Sequence, residues 1–318
     1  MSAAERGTGD AGDLVDPRRD PAVAVDVLLQ ALPYIERFRG SVVVVKFGGN
    51  AMTRPELFAD FAKDLVMMHR VGMRPVVVHG GGPQIGEWLR RVGKESSFVD
   101  GRRVTDAETL EIAQMVLIGK VNSDIVTALN TAGPLAVGLS GTDAMLLTAT
   151  AHDPELGFVG TVTKVHPELI ERTLSMDLIP VIATIGADET GQTYNINADD
   201  AATEIAQALG AEKLIFLTDV PGLLADVDDP SSLITRVTTD EVREHISTGV
   251  VSGGMIPKMA GCVRSIEQGV GSVHLIDGRV SNVLLLELLT HAGVGTMVVA
   301  PERPDPDSDA TDPTGATS

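Results

Sequence analysis

The chain has 318 residues, enough to bury a substantial core, and its 43% hydrophobic residues and 33 glycines are typical of an α/β enzyme. Its formal net charge of −19 argues against nucleic acid and against an anionic membrane surface as partners, because both would repel it. The single cysteine, Cys262, excludes an intrachain disulfide framework and favours a cytoplasmic protein. No apolar run is as long as a membrane span and no secretion signal is apparent, so we expect no membrane contact.

The first predicted element is an amphipathic helix over residues 21–38, within an N-terminal unit of residues 20–40. Its apolar residues recur at helical spacing, and Pro33 inside it is expected to produce a kink. The apolar stripe packs either on its own domain or on another subunit, and the sequence leaves both open. Residues 1–19 and the acidic, proline-rich tail 301–318 have no periodicity, and both are predicted to be disordered.

Residues 41–47 are predicted to form a central parallel strand, because four consecutive valines suit a strand that is buried on both faces. Lys46 then stands at the carboxyl end of that strand, where ligands bind in open α/β sheets. Gly48 and Gly49 follow it, and their backbone N–H groups can approach an anion closely because glycine has no Cβ. The pattern indicates a phosphate site. The alternative is a lysine that only marks the edge of the core.

A second glycine-rich turn follows the next predicted strand, residues 74–79. Gly81 and Gly82 stand between this strand and a helix that Pro83 begins. Free N–H groups and the helix dipole favour an anion at such a position. The dinucleotide-binding fingerprint is not satisfied, because Ile85 occupies the place of its third glycine.

Two arginines, Arg102 and Arg103, precede a helix predicted to begin near Asp106. Thr105 and Glu108 are interpreted as the capping box of that helix. An arginine at this place can hold a carboxylate through two parallel hydrogen bonds. The alternative is that both arginines are solvated surface charges.

The rest of the chain is predicted to alternate strands and helices. Strands are predicted over residues 178–183, 213–218, 272–276 and 295–299, helices over residues 201–209, up to about 268 and over 283–290, and a β-hairpin at the mouth of a site over residues 145–165. Asn195, Asn197, Asp199 and Asp200 gather before one helix, where they either cap it or bind a polar substrate and orient lysines. Lys258, close after Gly253 and Gly254, repeats the combination of a glycine pair with a lysine.

Five motifs occur in one order along the chain: KFGGN at 46–50, HGGG at 79–82, GRRVTD at 101–106, YNINADDAA at 194–202 and GGMIPK at 253–258. In this set and order the chain resembles the N-acetyl-L-glutamate kinases of the amino-acid kinase family, over roughly residues 21–300. The resemblance implies an α/β fold, a three-layer α/β/α sandwich around a mainly parallel open sheet, with an extra kinked N-terminal helix. It implies that residues 41–184 bind the acyl amino acid and residues 185–300 bind ATP.

The same resemblance implies the reaction and the residues that perform it. ATP would phosphorylate the side-chain carboxylate of N-acetyl-L-glutamate, a step of arginine biosynthesis, with Lys46 and Lys258 stabilising the transferred group and Asp199 positioning both lysines. The implied substrate contacts are Gly81, Gly82, Arg103 and Asn195 for the acyl amino acid, and Gly48, Gly49, Thr218, Asp219 and Gly222 for the nucleotide. ATP is expected as its Mg²⁺ complex, with no metal site built from protein side chains.

The N-terminal helix resembles that of the arginine-inhibited members of the family, which implies a homohexamer, a trimer of dimers, inhibited by arginine. Tyr34, Lys213 and Asn282 are then expected at the arginine site. Two positions depart from the family pattern. Thr142 stands where lysine is common, which leaves the expected catalysis unchanged. Asn282 stands where arginine-inhibited members carry histidine, which predicts weakened inhibition.

Two alternatives remain. The first is another amino-acid kinase, acting on glutamate, carbamate or a nucleotide, and the motifs GRRVTD and YNINAD together argue against it. The second is a non-catalytic arginine sensor on the same fold, and the retention of both Lys46 and Lys258 argues against that.

Overall fold

The computed structural model describes residues 21–99, 101–290 and 293–301 of the chain. The two segments predicted to be disordered lie outside these residues, apart from residue 301. All structural statements below concern the described part of the chain.

The strands build two sheets and a short hairpin. In chain order they are β1 (Val42–Phe47), β2 (Arg74–His79), β3 (Phe98–Val99), β4 (Arg102–Arg103), β5 (Ala136–Ser140), β6 (Leu147–Ala151), β7 (Val159–Val165), β8 (Ile179–Ala183), β9 (Ile185–Ala187), β10 (Thr193–Ile196), β11 (Lys213–Thr218), β12 (Arg236–Thr238), β13 (Ser272–Asp277) and β14 (Thr296–Val299). The main sheet has the order β12-β14-β13-β11-β1-β2-β8-β5. Only β14 and β12 run against the other six strands, which confirms the mainly parallel sheet.

Strand β1 is central, as predicted, because it pairs in parallel with β11 on one side and β2 on the other. Val43 and Val45 face one hydrophobic core and Val44 faces the other, and all three are fully buried. Burial on both faces is the physical reason for the valine run. Strand β2, which follows β1 in the chain, and β11, which comes from the second half of the chain, lie on opposite sides of β1, so the carboxyl end of β1 lies at a topological switch point.

Helices cover both faces of the sheet, which confirms the three-layer prediction. They are α1 (Pro21–Phe38), α2 (Pro55–Arg70), α3 (Gly82–Arg91), α4 (Ala107–Gln114), α5 (Ser123–Asn130), α6 (Glu168–Ser175), α7 (Ala198–Ala208), α8 (Thr239–Thr248), α9 (Met255–Glu267) and α10 (Val283–Leu289). Helices α2, α3, α4, α5 and α10 supply one core, and α6, α7, α8 and α9 supply the other.

A smaller sheet stands beside the carboxyl end of the main one. Strands β6 and β7 pair antiparallel, which confirms the predicted hairpin. Strands β9 and β10 close this sheet, and β10 pairs with β7 through Asn195 and Val159. The pairing brings Asn195 to the edge of the main sheet.

A π-helical segment, Met115–Asn122, joins α4 to α5 in one continuous helix. By length and composition, residues 107–130 could cross a membrane, and no other described helix passes that test. Leu117, Val121, Ile125 and Leu129 along this helix are buried in the core. These contacts are those of a core helix.

Helix α1 has the predicted bounds and continues through Pro33. Near its end Phe38 is buried and the helix contacts α10. The first half of the helix, in contrast, exposes its apolar side chains to solvent, and Leu28 is 65% exposed. The exposed apolar residues are Val25, Val27, Leu28, Leu29 and Leu32. Packing on its own domain therefore accounts only for the end of α1.

Helix α3 begins at Gly82, one residue before the predicted Pro83, and two other helix starts differ more. Helix α7 begins at Ala198 rather than 201, because the Asn197 side chain caps it by accepting from the N–H groups of Asp199 and Asp200. Helix α9 begins at Met255, so Lys258 lies inside its first turn rather than ahead of it.

The capping box predicted at Thr105 is wrong. The cap of α4 is Asp106, whose side chain accepts a hydrogen bond from the Thr109 N–H at 2.9 Å. Thr105 is buried instead, and its hydroxyl donates to the carbonyl of Arg103 at 2.8 Å. Aspartate is a better N-cap residue than threonine, and the buried side chain of Thr105 is hydrogen-bonded elsewhere, so Asp106 caps the helix.

Candidate active site

A cleft opens at the carboxyl ends of β1 and β2, with a cavity volume of about 260 Å³. This volume is close to the lower end of the usual range for ligand pockets, roughly 300–1,000 Å³. Predicted residues that line it are Lys46, Gly48, Gly49, Gly81, Gly82, Arg103, Asn195 and Asp199. Motifs spread over about 150 residues of sequence therefore meet at the carboxyl ends of the central strands.

Asp199 joins two lysines, Lys46 from strand β1 and Lys258 from helix α9. Its Oδ1 lies 2.9 Å from Lys46 Nζ, and its Oδ2 accepts a hydrogen bond from Lys258 Nζ at 2.8 Å. Asp199 stands in the first turn of α7, where the helix dipole favours a carboxylate. Burial opposes its ionisation, yet the charges of Lys46 and Lys258 hold the pKa of Asp199 well below its usual range.

The triad of Lys46, Asp199 and Lys258 has a net positive charge, and its side chains are partly exposed to solvent. Two ammonium groups and one carboxylate leave one net positive charge, and the side chains of Lys46, Lys258 and Asp199 are 14%, 22% and 30% exposed. A partly open, cationic site suits a highly charged anion such as a transferring phosphoryl group.

Two glycine-rich turns flank the triad, and side-chain ends lie where a Cβ would stand. A Cβ on Gly48 would lie 2.8 Å from Lys46 Nζ, and a Cβ on Gly81 would lie 2.6 Å from Leu117 Cδ2. Gly81 is the N-cap of α3, and Gly82 is its first residue. No hydrogen-bond acceptor within the described chain takes the N–H of Gly81 or Gly82. These N–H groups at a helix start are available to an anion.

Arg103 and Asn195 stand on the other side of the cleft. The Arg103 guanidinium donates to the carbonyl of Gly82 at 2.8 Å and to the hydroxyl of Ser96. Its Cζ lies 4.7 Å from the ring centre of Phe98. Asn195 Nδ2 donates to Thr105 Oγ1 at 3.4 Å. A stacked, oriented guanidinium beside an amide can bind a carboxylate.

Sequence reasoning missed Phe98 on this side of the cleft and left the role of Arg102 open. Phe98 lines the cavity, and the only signal for it was an aromatic residue shortly before the arginine pair. Arg102 also lines the cavity, but its Nη2 is held by Asp200 at 2.7 Å. This pairing separates the roles of Arg102 and Arg103.

The nucleotide-binding residues predicted at the end of β11 and in the turn after it do not line the cavity itself. They form a rim beside it. Asp219 lies against Gly49, since a Cβ on Gly49 would be 2.9 Å from Asp219 Oδ2. Thr218 Oγ1 donates to the carbonyl of Val220 at 2.7 Å and shapes the turn. Gly222 has φ 151°, and a Cβ there would lie 2.6 Å from Thr296 Oγ1. The rim is continuous with the cleft through Gly49.

The residues expected at an arginine site do not all lie together. Lys213 Nζ is 4.8 Å from the ring centre of Phe38, one turn along α1 from Tyr34. Asn282 instead donates to Asp64 Oδ1 at 2.8 Å. Lys213 is the first residue of β11. Asn282 comes after the last residue of β13, the parallel neighbour of β11. The two residues therefore belong to opposite ends of these strands, which are roughly 16 Å apart.

The comparison with family models matches residues 41–277 to the amino acid kinase family. The acetylglutamate kinase of Synechococcus elongatus is 55% identical over 276 residues, 86% of this chain and 92% of that protein. The acetylglutamate kinase of Nostoc sp. is 52% identical over 283 residues, 89% of this chain and 95% of that protein.

A solved structure extends the comparison to three dimensions. The N-acetylglutamate synthase from Neisseria gonorrhoeae, complexed with coenzyme A and N-acetyl-glutamate, matches with a TM-score of 0.76 and 25% identity. The match covers 86% of this chain and 63% of that chain, so this chain spans less than two thirds of the synthase.

Proposed function

The chain belongs to the amino acid kinase family, and from that premise we propose that it transfers the γ-phosphoryl group of ATP to N-acetyl-L-glutamate. The acceptor is the side-chain carboxylate, the product is N-acetyl-L-glutamyl 5-phosphate, and the reaction is the second step of arginine biosynthesis. The observation that carries the proposal is the Lys46–Asp199–Lys258 triad beside two glycine turns. The relatives at 50–55% identity support the choice of substrate.

The chemistry needs charge neutralisation rather than proton transfer. A side-chain carboxylate is ionised at neutral pH and attacks without a general base. The barrier comes from bringing two anions together and from the charge on the transferred group. Lys46 and Lys258 offset that charge, and Asp199 holds both ammonium groups at fixed positions. The N–H groups of Gly81 and Gly82 add dipoles in the same cleft.

We assign the acyl amino acid to the side of the cleft with Arg103 and Asn195. The fixed guanidinium suits a carboxylate, and the amide of Asn195 suits a second polar group of the acceptor. The nucleotide is assigned to the rim formed by Gly48, Gly49 and the 218–222 turn. Of the predicted lobes, residues 41–184 contain Arg103 and residues 185–300 contain the 218–222 turn. Asn195 and the glycines Gly48 and Gly49 each contribute to the ligand of the other lobe.

Mg²⁺ is proposed to enter as part of the ATP complex. Both oxygens of Asp199 contact lysines, and the described residues contain no group of three or more His, Cys, Asp or Glu side chains placed for a metal ion. Phosphate oxygens and water are the ligands Mg²⁺ commonly keeps in such sites. The acidic chain with its single cysteine supports a cytoplasmic location.

The test is ADP release from MgATP with N-acetyl-L-glutamate, with L-glutamate or without an acceptor. We expect release only with N-acetyl-L-glutamate. Release with glutamate alone would transfer the assignment to another amino-acid kinase. Equal release without any acceptor would mean an ATPase, and no release in all three would leave a sensor as the remaining class.

The exposed half of α1 supports a homohexamer, a trimer of dimers, regulated by arginine. Leu28, Leu29 and their exposed apolar neighbours form a stripe that suits the same helix of a second copy. Tyr34 and Phe38 lead from this stripe toward Lys213, so a ligand there would touch both the helix and the sheet. Inhibition then requires that arginine bind two states of the ring with different affinity.

Deleting residues 1–32 tests this assembly while keeping Phe38 in the core. We expect a smaller particle by light scattering and a loss of arginine sensitivity, with kinase activity retained. The full-length double variant Leu28→Lys, Leu29→Lys should behave in the same way. A truncated protein that stays hexameric and equally sensitive would refute the role of α1 and leave the kinase assignment intact.

A further inference from the structure

Behind the glycine turn of the cleft lies a buried pair, His79 and Asn122, that the proposed reaction does not use. His79 ends β2, is fully buried and directly precedes Gly80. Its Nδ1 lies 3.0 Å from the carbonyl oxygen of Gly80, and its Nε2 lies 3.0 Å from Asn122 Nδ2. Asn122 is the last residue of the π-helical segment.

The surroundings determine which nitrogen of His79 carries the proton. Asn122 Nδ2 donates to the carbonyl of Val181 at 2.8 Å, so the nitrogen end of this amide faces both partners. An amide NH₂ only donates, and His79 Nε2 must therefore accept. Burial also lowers the pKa of His79 to about 4, which keeps the ring neutral at pH 7. The proton is on Nδ1, and Nδ1 donates to the Gly80 carbonyl.

This hydrogen bond fixes the orientation of one peptide group in the cleft. The Gly80 N–H already donates to the carbonyl of Phe47 in β1 at 3.0 Å. In a planar trans peptide, the C=O of Gly80 and the N–H of Gly81 point in opposite directions. Holding the carbonyl toward His79 therefore aims the Gly81 N–H away from it. Glycine turns rotate easily, so an unpinned Gly80–Gly81 peptide would not keep this direction.

The π-helical segment holds the same turn from a second direction. Leu117 Cδ2 would be 2.6 Å from a Cβ on Gly81, and Val121 Cγ2 would be 3.3 Å from it. The wider turn of a π-helix shifts side chains relative to an α-helix, and such segments often lie at functional sites. Here one segment supplies an apolar contact to Gly81 and, through Asn122, the polar contact to His79.

We propose that His79 and Asn122 are positioning residues that hold the Gly80–Gly81 peptide so that the Gly81 N–H faces the transferring phosphoryl group. The inference rests on the proposed function, because it assigns a purpose to a donor in that cleft. It makes His79 neither an acid nor a base: the ring acts only through a hydrogen bond to the main chain.

Two amide substitutions separate positioning from simple packing. In His79→Asn, the amide nitrogen is two bonds from Cβ, as Nδ1 is, and it can still donate to the Gly80 carbonyl. In His79→Gln, the amide is three bonds from Cβ, as Nε2 is, and it keeps the contact with Asn122 and more of the volume. A packing role predicts that Gln is the better replacement. The positioning role predicts that Asn is better in turnover and Gln is better in stability.

We expect kcat to fall about tenfold or more in His79→Gln and to fall at least fivefold less in His79→Asn, with the KM for ATP unchanged in both. This loss is smaller than the 10²-fold or more expected for deleting a donor outright, because the N–H remains present but unfixed. The melting temperatures should rank in the opposite order. If kcat and melting temperature rank the variants in the same order, the positioning role is refuted.

A second readout does not depend on activity. Nitrogen NMR of protein labelled at its seven histidines, with His79 identified by its absence in His79→Asn, reports the tautomer directly. We expect protonated Nδ1, unprotonated Nε2 and no titration between pH 5 and pH 8. A proton on Nε2, or titration near pH 6.5, would overturn the proposal. A correct tautomer in a protein without kinase activity would refute the proposed function, and with it the role of the Gly81 N–H, while leaving the hydrogen bond from His79 to Gly80 intact.

Discussion

A lysine and a carboxylate lie close together at each end of the central strands of the main sheet, with opposite results. The two ends are called here the carboxyl edge and the amino edge. At the carboxyl edge, Lys46 and Lys258 share Asp199, and the group is cationic and partly open. At the amino edge, Lys213 Nζ donates to His274 Nε2 at 3.0 Å, and His274 Nδ1 lies 2.6 Å from Glu287 Oε1. The charges of one lysine and one glutamate, on either side of the histidine ring, offset each other there.

The difference lies in charge balance and access rather than in residue types. Lys213 and His274 are 6% and 2% exposed, and Glu287 Oε2 also accepts from the N–H of Val294 at 2.8 Å. Burial opposes ionisation of Glu287, but the hydrogen bond from His274 leaves its pKa below the usual value. A closed, balanced cluster stabilises the fold, whereas an open cluster with surplus positive charge binds an anion.

The largest effect should come from removing a lysine of the open cluster. Lys46→Ala or Lys258→Ala is expected to lower kcat on the order of 10²-fold or more, because one charge-stabilising donor is lost while the other lysine still pairs with Asp199. Lys63→Ala, on an exposed helix position, is the matched control and should leave kcat unchanged. Near-normal turnover in either cleft variant would remove that lysine from the mechanism.

Removing the lysine of the closed cluster should affect stability instead. Lys213→Met leaves the buried Glu287 without its nearby ammonium group, and we expect the free energy of unfolding to fall by about 3 kcal/mol. Without arginine, kcat should stay within about twofold. Lys120→Met, which breaks the exposed pair with Asp124, should cost no more than about 0.5 kcal/mol in urea unfolding. Equal losses for the two variants would contradict the closed-cluster interpretation.

A single added methyl group should perturb the open cluster without removing charge. The Cβ of Gly48→Ala would meet Lys46 Nζ at 2.8 Å, and this flexible side-chain end must move away from Asp199. We expect kcat to fall about tenfold, since small misplacements at a reacting centre are costly. Gly119→Ala, which meets no atom within 4 Å, is the control. Unchanged kcat in Gly48→Ala would mean that the lysine position is not critical.

The smallest effect concerns a buried carboxylate that has no lysine. Burial raises the pKa of Asp64 to about 6, and its donors are the neutral groups Asn282 Nδ2 and the Leu284 N–H. A folded-state pKa above the unfolded value of about 3.9 means that protonation stabilises the fold. This stabilisation is complete below about pH 4 and is lost as pH rises through about 6.

From pH 5 to pH 7, wild type should therefore lose roughly 1 kcal/mol of unfolding free energy relative to Asp64→Asn. Urea unfolding at both pH values measures this difference. Asp60→Asn, on the same helix, is the control, because the hydrogen bond from Lys63 lowers the pKa of Asp60 and takes its titration below this window. Parallel pH profiles for wild type and Asp64→Asn would contradict the assignment.

The central strands could be predicted because burial on both faces leaves a local mark. The valine run of β1 and the similar runs of β2 and β11 result directly from it. Strand β5 was missed because Gly138 interrupts its pattern. That glycine is required by a distant residue, since a Cβ there would lie 2.0 Å from Asn122 Oδ1. The π-helical segment has the same origin in tertiary contacts and has no local sequence signal.

The site was predictable in its parts but not in its connections. Glycine turns and strand-end lysines are local features, and the family resemblance supplied their roles. The bridge from Asp199 to two lysines 153 and 59 residues away depends on the register of separate strands and helices. The error at Thr105 has a similar cause, because its burial beneath Asn195 is set by the second sheet.

The most direct test of the open cluster as the catalytic centre is trapping of its product. An acyl phosphate formed from N-acetyl-L-glutamate and MgATP reacts with hydroxylamine to give a hydroxamate. The wild-type protein should form hydroxamate in step with ADP, and Lys46→Ala should form at least 10²-fold less in the same time. ADP without hydroxamate in wild type, or equal hydroxamate from the two proteins, would contradict the account.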